Sequence, residues 1–160
     1  GHELSKGTGG GAYISSTANA SFFNCTIHSN EARNGGALLI NGGWVPPSMS
    51  PPGWRSRNFK KTFVTLTACA LFDNQVIYNG GAINMLWGDV RLHACTIYGN
   101  EARRGGGLHI EGGTVTFFRT SFTDNQANLE GGAVYHSGSA RAFLIDCDLF
   151  YNSALTAGGG

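Results

Sequence analysis

The sequence predicts an all-β fold, a right-handed parallel β-helix of about 5–6 coils, with three short strands per coil and one loop insertion. Two short phrases recur in step along the chain. An aliphatic residue or Phe, two spacers and Asn occur together five times, ending at Asn30, Asn74, Asn100, Asn125 and Asn152. A Gly-Gly phrase with an apolar residue shortly after it alternates with them, at Gly10-Gly11, Gly35-Gly36, Gly80-Gly81, Gly106-Gly107 and Gly131-Gly132. Each unit is therefore expected to bury its apolar face by stacking on the next unit.

Two strands are predicted before each asparagine. In one copy Val64 and Leu66 lie two positions apart, and Cys69 and Leu71 do the same closer to the asparagine. This alternation is that of a half-buried strand. The phase slips by one residue between the two groups, so residues such as Asn24 and Arg119 are predicted to form a corner.

The third strand is predicted after the Gly-Gly phrase. Its apolar column is aligned as Tyr13, Leu38, Ile83, Leu108 and Val134. Gly-Gly supplies positive φ and close approach at one corner. Asn tolerates left-handed geometry at another corner, and its amide can bond to backbone and to the asparagine one rung away.

The longest interval between asparagines is one period plus an insertion, residues 43–62. The insertion holds all four prolines together with Trp44 and Trp54. Pro-Pro pairs do not join a β-ladder, so the segment is predicted to be a loop that leaves one corner. We expect residues 1–160 to form a single β-helix domain. Because no polar cap is recognisable at either end, we expect that domain to be a section of a longer solenoid or a subunit of an assembly.

Composition excludes several classes of function. Charged residues make up 13% of the chain and the net charge is +1, with Lys and Arg dispersed. This argues against nucleic acid as a main partner. No apolar run reaches membrane-spanning length, and no pattern indicates a cofactor.

The two phrases, GGA followed by an aliphatic residue or Tyr, and FxxN, resemble the repeats of chlamydial polymorphic outer membrane proteins. Similar repeats occur in large surface proteins of the pectin-lyase-like class of right-handed parallel β-helices. The resemblance covers nearly the whole chain except the insertion. It implies passenger domains on cell surfaces that serve in adhesion or as scaffolds. The Phe of FxxN stands here only at Phe122, and Ile or Leu replaces it elsewhere.

Four cysteines share one inward column, in which Thr120 takes the remaining place: Cys25, Cys69, Cys95 and Cys147. The column is interpreted as buried thiols that act as small apolar residues. One disulfide, Cys25–Cys69 or Cys69–Cys95, is compatible with the rung spacing in an oxidising compartment. The column lacks CxxC spacing, and no metal site is predicted.

The carboxylates scatter, whereas lyases and hydrolases of this fold need them clustered on neighbouring rungs. The best catalytic candidates are His109, Glu111 and Tyr135, on the strand after Gly-Gly. These side chains could perform acid–base chemistry. A polar exposed face is the simpler explanation, and no catalytic residue is assigned.

Two outward columns are rich in aromatic residues: His28, Phe72, Tyr98, Thr123 and Phe150 in one, and Phe23, Thr67, His93, Phe118 and Ile145 in the other. Contiguous exposed apolar surface marks an interface, and aromatic rings also stack on sugars. The residues predicted to bind a partner are Trp44, Trp54, Phe72, Tyr98, Phe118 and Phe150.

The sequence therefore favours a non-enzymatic structural or interaction module that binds other protein subunits of a larger assembly. The expected location is extracellular, at the cell surface or in an organelle lumen. The alternative is a carbohydrate-binding or lyase-like β-helix protein.

Overall fold

A computed structural model describes residues 9–15, 17–43 and 61–159. Most of the predicted insertion, with Trp44 and Trp54, lies outside the described residues. The described chain forms a parallel β-solenoid of about five turns, in which each strand pairs with its counterpart one coil away.

Each full turn contains four strands, so the expectation of three strands per coil is wrong. Sheet A consists of β1 (Ala12–Ile14), β5 (Leu38–Asn41), β9 (Ile83–Trp87), β13 (Leu108–Ile110) and β17 (Val134–His136). Sheet B consists of β2 (Asn19–Phe23), β6 (Phe63–Thr67), β10 (Asp89–His93), β14 (Thr114–Phe118) and β18 (Arg141–Ile145). Sheet C consists of β3 (Thr26–His28), β7 (Ala70–Phe72), β11 (Thr96–Tyr98), β15 (Ser121–Thr123) and β19 (Asp148–Phe150). Sheet D consists of β4 (Glu31–Ala32), β8 (Gln75–Val76), β12 (Glu101–Arg104), β16 (Gln126–Glu130) and β20 (Ser153–Ala154).

Sheet D is the strand set that the sequence reading missed. It follows the asparagine and turns one small residue inward on each rung: Ala32, Val76, Ala102, Ala127 and Ala154. The first three of these residues form a buried cluster of their own.

The main core fills the space between sheets A, B and C. Inward residues such as Leu38, Leu66, Leu71 and Ile97 have no exposed surface. On the fourth full rung the rings of Phe117 and Phe122 meet edge to face, 5.3 Å apart. Stacking buries each rung's apolar residues under those of the next rung, which is the main stabilisation of the fold.

The register in sheet A corrects one predicted column. Ala12, not Tyr13, pairs with Leu38, and Tyr13 pairs with Leu39. Tyr13 therefore points outward and is 53% exposed. Three consecutive glycines, residues 9–11, made the phrase ambiguous by one residue, and a one-residue slip moves every side chain to the other face.

Residues with positive φ mark the corners. One corner column precedes the cysteines, as predicted, and has φ between 49° and 53°: Asn24, Ala68, Ala94, Arg119 and Asp146. A second column stands one residue before the asparagines: Ser29, Asp73, Gly99, Asp124 and Tyr151. The assignment of left-handed geometry to the asparagines themselves is therefore wrong.

Candidate functional site

The asparagines of the repeat form one continuous hydrogen-bonded column. The side-chain Nδ2 of Asn74 donates to Oδ1 of Asn100, and Nδ2 of Asn100 donates to Oδ1 of Asn125, each over 2.9 Å. The same bond joins Asn30 to Asn74 and Asn125 to Asn152. Four of the five amides thus donate to the asparagine of the rung that follows, and the last, that of Asn152, donates to the carbonyl oxygen of Phe122.

The asparagine amides also satisfy backbone groups at the corner. Oδ1 of Asn100 accepts from the backbone N–H of Asn74 over 3.1 Å, and its Nδ2 reaches the carbonyl oxygens of Leu71 and Tyr98. Asn74, Asn100 and Asn125 have no exposed surface. A buried amide that makes this many bonds is structural, because buried polar groups must be paired.

The cysteine column is inward, and its sulfurs donate to nearby carbonyl oxygens. Cys69 and Cys95 are buried, whereas Cys25 and Cys147 are half-buried, and all four are free thiols. Burial raises the pKa of the Cys95 thiol. A buried thiol with a raised pKa is unreactive, which fits a packing role.

The His109 candidate site differs from the exposed polar face expected. His109 and Asn84 face outward on sheet A yet are only 3% and 2% exposed. Nδ1 of His109 lies 2.9 Å from Oδ1 of Asn84, and because that oxygen only accepts, Nδ1 carries the proton. The Tyr135 ring stacks on the imidazole with centroids 5.3 Å apart.

Burial, together with a neighbouring cation, keeps the imidazole neutral. Burial, and secondly the nearby Arg104, lowers the pKa of His109 to about 4. Arg104 is paired with Glu130 over 2.9 Å and lies 5.8 Å from the centre of the Tyr135 ring. Partial burial raises the pKa of Glu111. A base with a pKa near 4 is poorly matched to proton abstraction at neutral pH.

The aromatic column of sheet C is a stack of parallel rings. His28 and Phe72 are 4.7 Å apart and inclined by 2°, and Phe72 and Tyr98 are 4.7 Å apart and inclined by 8°. Phe72 therefore has both of its faces covered by neighbouring rungs. Phe150, beyond Thr123, has no such stacking partner among the described residues and is 51% exposed.

The aromatic column of sheet B is mixed. His93 and Phe118 stack at 5.2 Å, and the Arg119 guanidinium lies 4.9 Å from the Phe118 ring centre. Phe23 and Ile145 are exposed at the two ends of this column. Both aromatic columns thus face outward as the sequence indicates.

Sequence reasoning missed the ring that is the most exposed in the described part of the chain, that of Tyr151. Tyr151 occupies the corner position with positive φ just before Asn152, where other copies have Ser, Asp or Gly. A bulky residue at a position that favours small polar residues was the available signal.

Within residues 9–15, 17–43 and 61–159, no three His, Cys, Asp or Glu side chains come together in a way that could hold a metal ion. The same residues contain no helix long and apolar enough to cross a bilayer.

Comparison with known proteins adds one finding. A family model described as the Chlamydia polymorphic membrane protein repeat matches residues 119–137, which confirms the resemblance drawn from the sequence. This segment holds one copy of each phrase, ending at Asn125 and beginning at Gly131. Neither a curated protein nor a solved structure matches the chain.

Proposed function

We propose that the chain is a non-enzymatic interaction module, a right-handed β-helix scaffold that binds protein subunits of a larger assembly. Parallel crossovers are right-handed in nearly all known sheets, which supports this winding. The proposed location is extracellular, at a cell surface or in a lumen. The matched repeat of a membrane-protein family supports a surface setting.

The observation that carries this proposal is how the outward aromatic residues are distributed. Phe118 and Phe150 lie on the outward faces of sheets B and C, next to Ile145 and Tyr151, which are 47% and 85% exposed. Exposed apolar residues on two consecutive faces are typical of a protein interface. The repeated residues of the chain meanwhile serve the core and the corners.

The stacking geometry argues against sugar binding on sheet C. A sugar stacks on the open face of a ring, whereas both faces of Phe72 are already covered. Only the ring edges of Phe72 remain available for contact. Protein side chains pack against ring edges readily, so this column favours a protein partner.

Serine substitutions at Phe118 and Phe150 test the proposal. The purified chain is immobilised and used to capture binding proteins from an extract of the source organism. One captured protein is then identified and purified, and its affinity for the chain is measured by calorimetry. We expect the double variant to weaken that complex by about 1,000-fold, since interface aromatic residues contribute about 2 kcal/mol or more each and every ~1.4 kcal/mol is tenfold. The control is Gln75→Ala, an exposed position on sheet D.

Equal affinity of the double variant and the parent would contradict the proposed surface. Release of unsaturated or reducing sugar ends from polysaccharides by the chain would contradict the non-enzymatic assignment. A folded variant, judged by circular dichroism, is required in both assays.

A further inference from the structure

The outward face of sheet B has a second feature, separate from the Phe118 column. The first and third residues of its strands form two columns that lie side by side: Phe63, Asp89, Thr114 and Arg141 in one, and Thr65, Arg91, Thr116 and Phe143 in the other. None of these side chains is buried. A groove of about 150 Å³ is lined by Lys61 and by five of these residues, Phe63, Asp89, Arg91, Thr114 and Thr116. Arg141 and Phe143 lie beyond it on the next rung of the same face.

Two arginines on this face have no carboxylate partner among the described residues. The guanidinium of Arg91 lies 4.9 Å from the centre of the Phe63 ring, a contact that leaves its N–H groups without acceptors in the described chain. Arg141, two rungs further on, is exposed and forms no ion pair there. Guanidinium groups with free in-plane donors bind carboxylates and sulfates.

The residues between the two arginines carry hydroxyls. Thr114 and Thr116 occupy the rung between Arg91 and Arg141 and line the groove. Asp89 also lines it and is paired with Lys61 over 3.1 Å. Beyond them Phe143 is 52% exposed and has no ring partner in the described residues. The face thus combines cations, hydroxyls, one paired carboxylate and an open ring.

We infer that this face of sheet B, from the groove at Arg91 to Arg141 and Phe143, binds an acidic polysaccharide that carries one anionic group per disaccharide. Arg91 and Arg141 are two rungs apart and offset by two residues along the strands, so their backbones are about 12 Å apart, which is comparable to the length of one disaccharide in an extended chain. Successive anionic groups would bind the two guanidinium groups, and the sugar between them would meet the threonine hydroxyls. A sugar ring would stack on the open face of Phe143.

Other polyanions fit this face less well. Asp89 is paired with Lys61, and its oxygens can also accept hydrogen bonds from sugar hydroxyls, which a peptide or a nucleic acid does not present in such number. The interior strands β6, β10 and β14 already pair on both sides, so a peptide cannot add to them as a strand. The inference does not rest on the proposed protein interface, whose residues are different.

Calorimetry at physiological ionic strength tests the inference with defined probes. These are a hyaluronan octasaccharide with one carboxylate per disaccharide, a neutral chitin oligosaccharide, polygalacturonate, poly-glutamate and single-stranded oligothymidylate. We expect hyaluronan to bind most tightly. Arg91→Gln and Arg141→Gln should each weaken it about tenfold, the effect of one charge-assisted bond. Phe143→Ala should also weaken it, and Phe143→Tyr should preserve binding.

The matched controls are Arg33→Gln and Arg103→Gln, which remove the same charge from exposed positions off this face. They should change the affinity by less than about twofold, because exposed charges beyond a Debye length are screened. The inference is overturned if these controls weaken binding as much as Arg91→Gln does. It is also overturned if the neutral sugar, polygalacturonate, poly-glutamate or the oligonucleotide binds as tightly as hyaluronan, or if no probe binds.

Discussion

Replacing Asn100 by Ala should be among the most destabilising single changes in this chain. The substitution removes two hydrogen bonds that Oδ1 accepts from Asn74, and those that the two N–H groups of Nδ2 share among the oxygens of Leu71, Tyr98 and Asn125. Asn100 is fully buried, so water cannot replace them. The unsatisfied groups left behind should lower the free energy of unfolding by about 3–5 kcal/mol. Equilibrium denaturation in urea measures this loss as a lower midpoint.

The same change at Asn30 provides the matched control. The Asn30 side chain makes two hydrogen bonds, to the carbonyl of His28 and to Oδ1 of Asn74, and it is only half-buried. Water can satisfy the freed groups, so Asn30→Ala should cost about 1 kcal/mol. Equal losses at Asn30 and Asn100 would refute the argument that burial of the amide column sets its contribution.

Asn100→Asp separates hydrogen bonding from packing. The carboxylate keeps the acceptor for Asn74 but faces the oxygens of Leu71, Tyr98 and Asn125 with no donor. Its pKa should therefore lie above the ordinary value, and the variant should recover stability relative to the parent as pH falls through that raised pKa. A variant as stable as the parent at about pH 7 would refute the reasoning.

Three further predictions concern protonation, a corner and thiol access. The parent should lose about 3 kcal/mol of stability between pH 6.5 and 4, because His109 binds a proton in the unfolded chain but stays neutral in the folded protein, where its pKa is near 4. His109→Gln should remove this dependence of stability on pH, measured by urea titrations at several pH values. An unchanged dependence would contradict the prediction. Gly80→Ala should cost more than Gly158→Ala, because both have positive φ but a Cβ at Gly80 would also clash with the carbonyl of Ile83; equal shifts in melting temperature would contradict this. Under native conditions Ellman's reagent should react with Cys25 and Cys147 before Cys69 and Cys95; four equal rates would contradict the burial pattern.

The repeat predicted those parts of the fold that depend on side-chain periodicity. The inward cysteine column and the corner at Arg119 follow from the phase of apolar residues. Sheet D escaped this reasoning because a strand as short as Glu31–Ala32 has a single inward residue and cannot alternate. The small residue two positions after each asparagine, such as Ala102, was the signal that could have revealed it.

The candidate sites were less predictable than the fold. An outward residue in a strand is exposed only if no other part of the chain packs over that face of the sheet. Periodicity shows which way a side chain points, but not whether other residues pack over it. His109 and Asn84 show this, since both face outward and both are buried. The groove of sheet B was also missed, because it depends on residues from different rungs, such as Phe63, Arg91 and Thr116, that no local motif connects.

The amide column and the four sheets also determine how the solenoid would respond to mechanical force. All their hydrogen bonds between rungs run along the axis. A pulling force along that axis should therefore break the bonds of one rung before those of the next. Successive asparagines are 25 to 27 residues apart across the last four rungs. Each rupture should therefore release one coil, about 90 Å of extended chain. A single-molecule force trace would show evenly spaced steps, and the protein would behave as a stepwise extensible tether rather than a rigid rod.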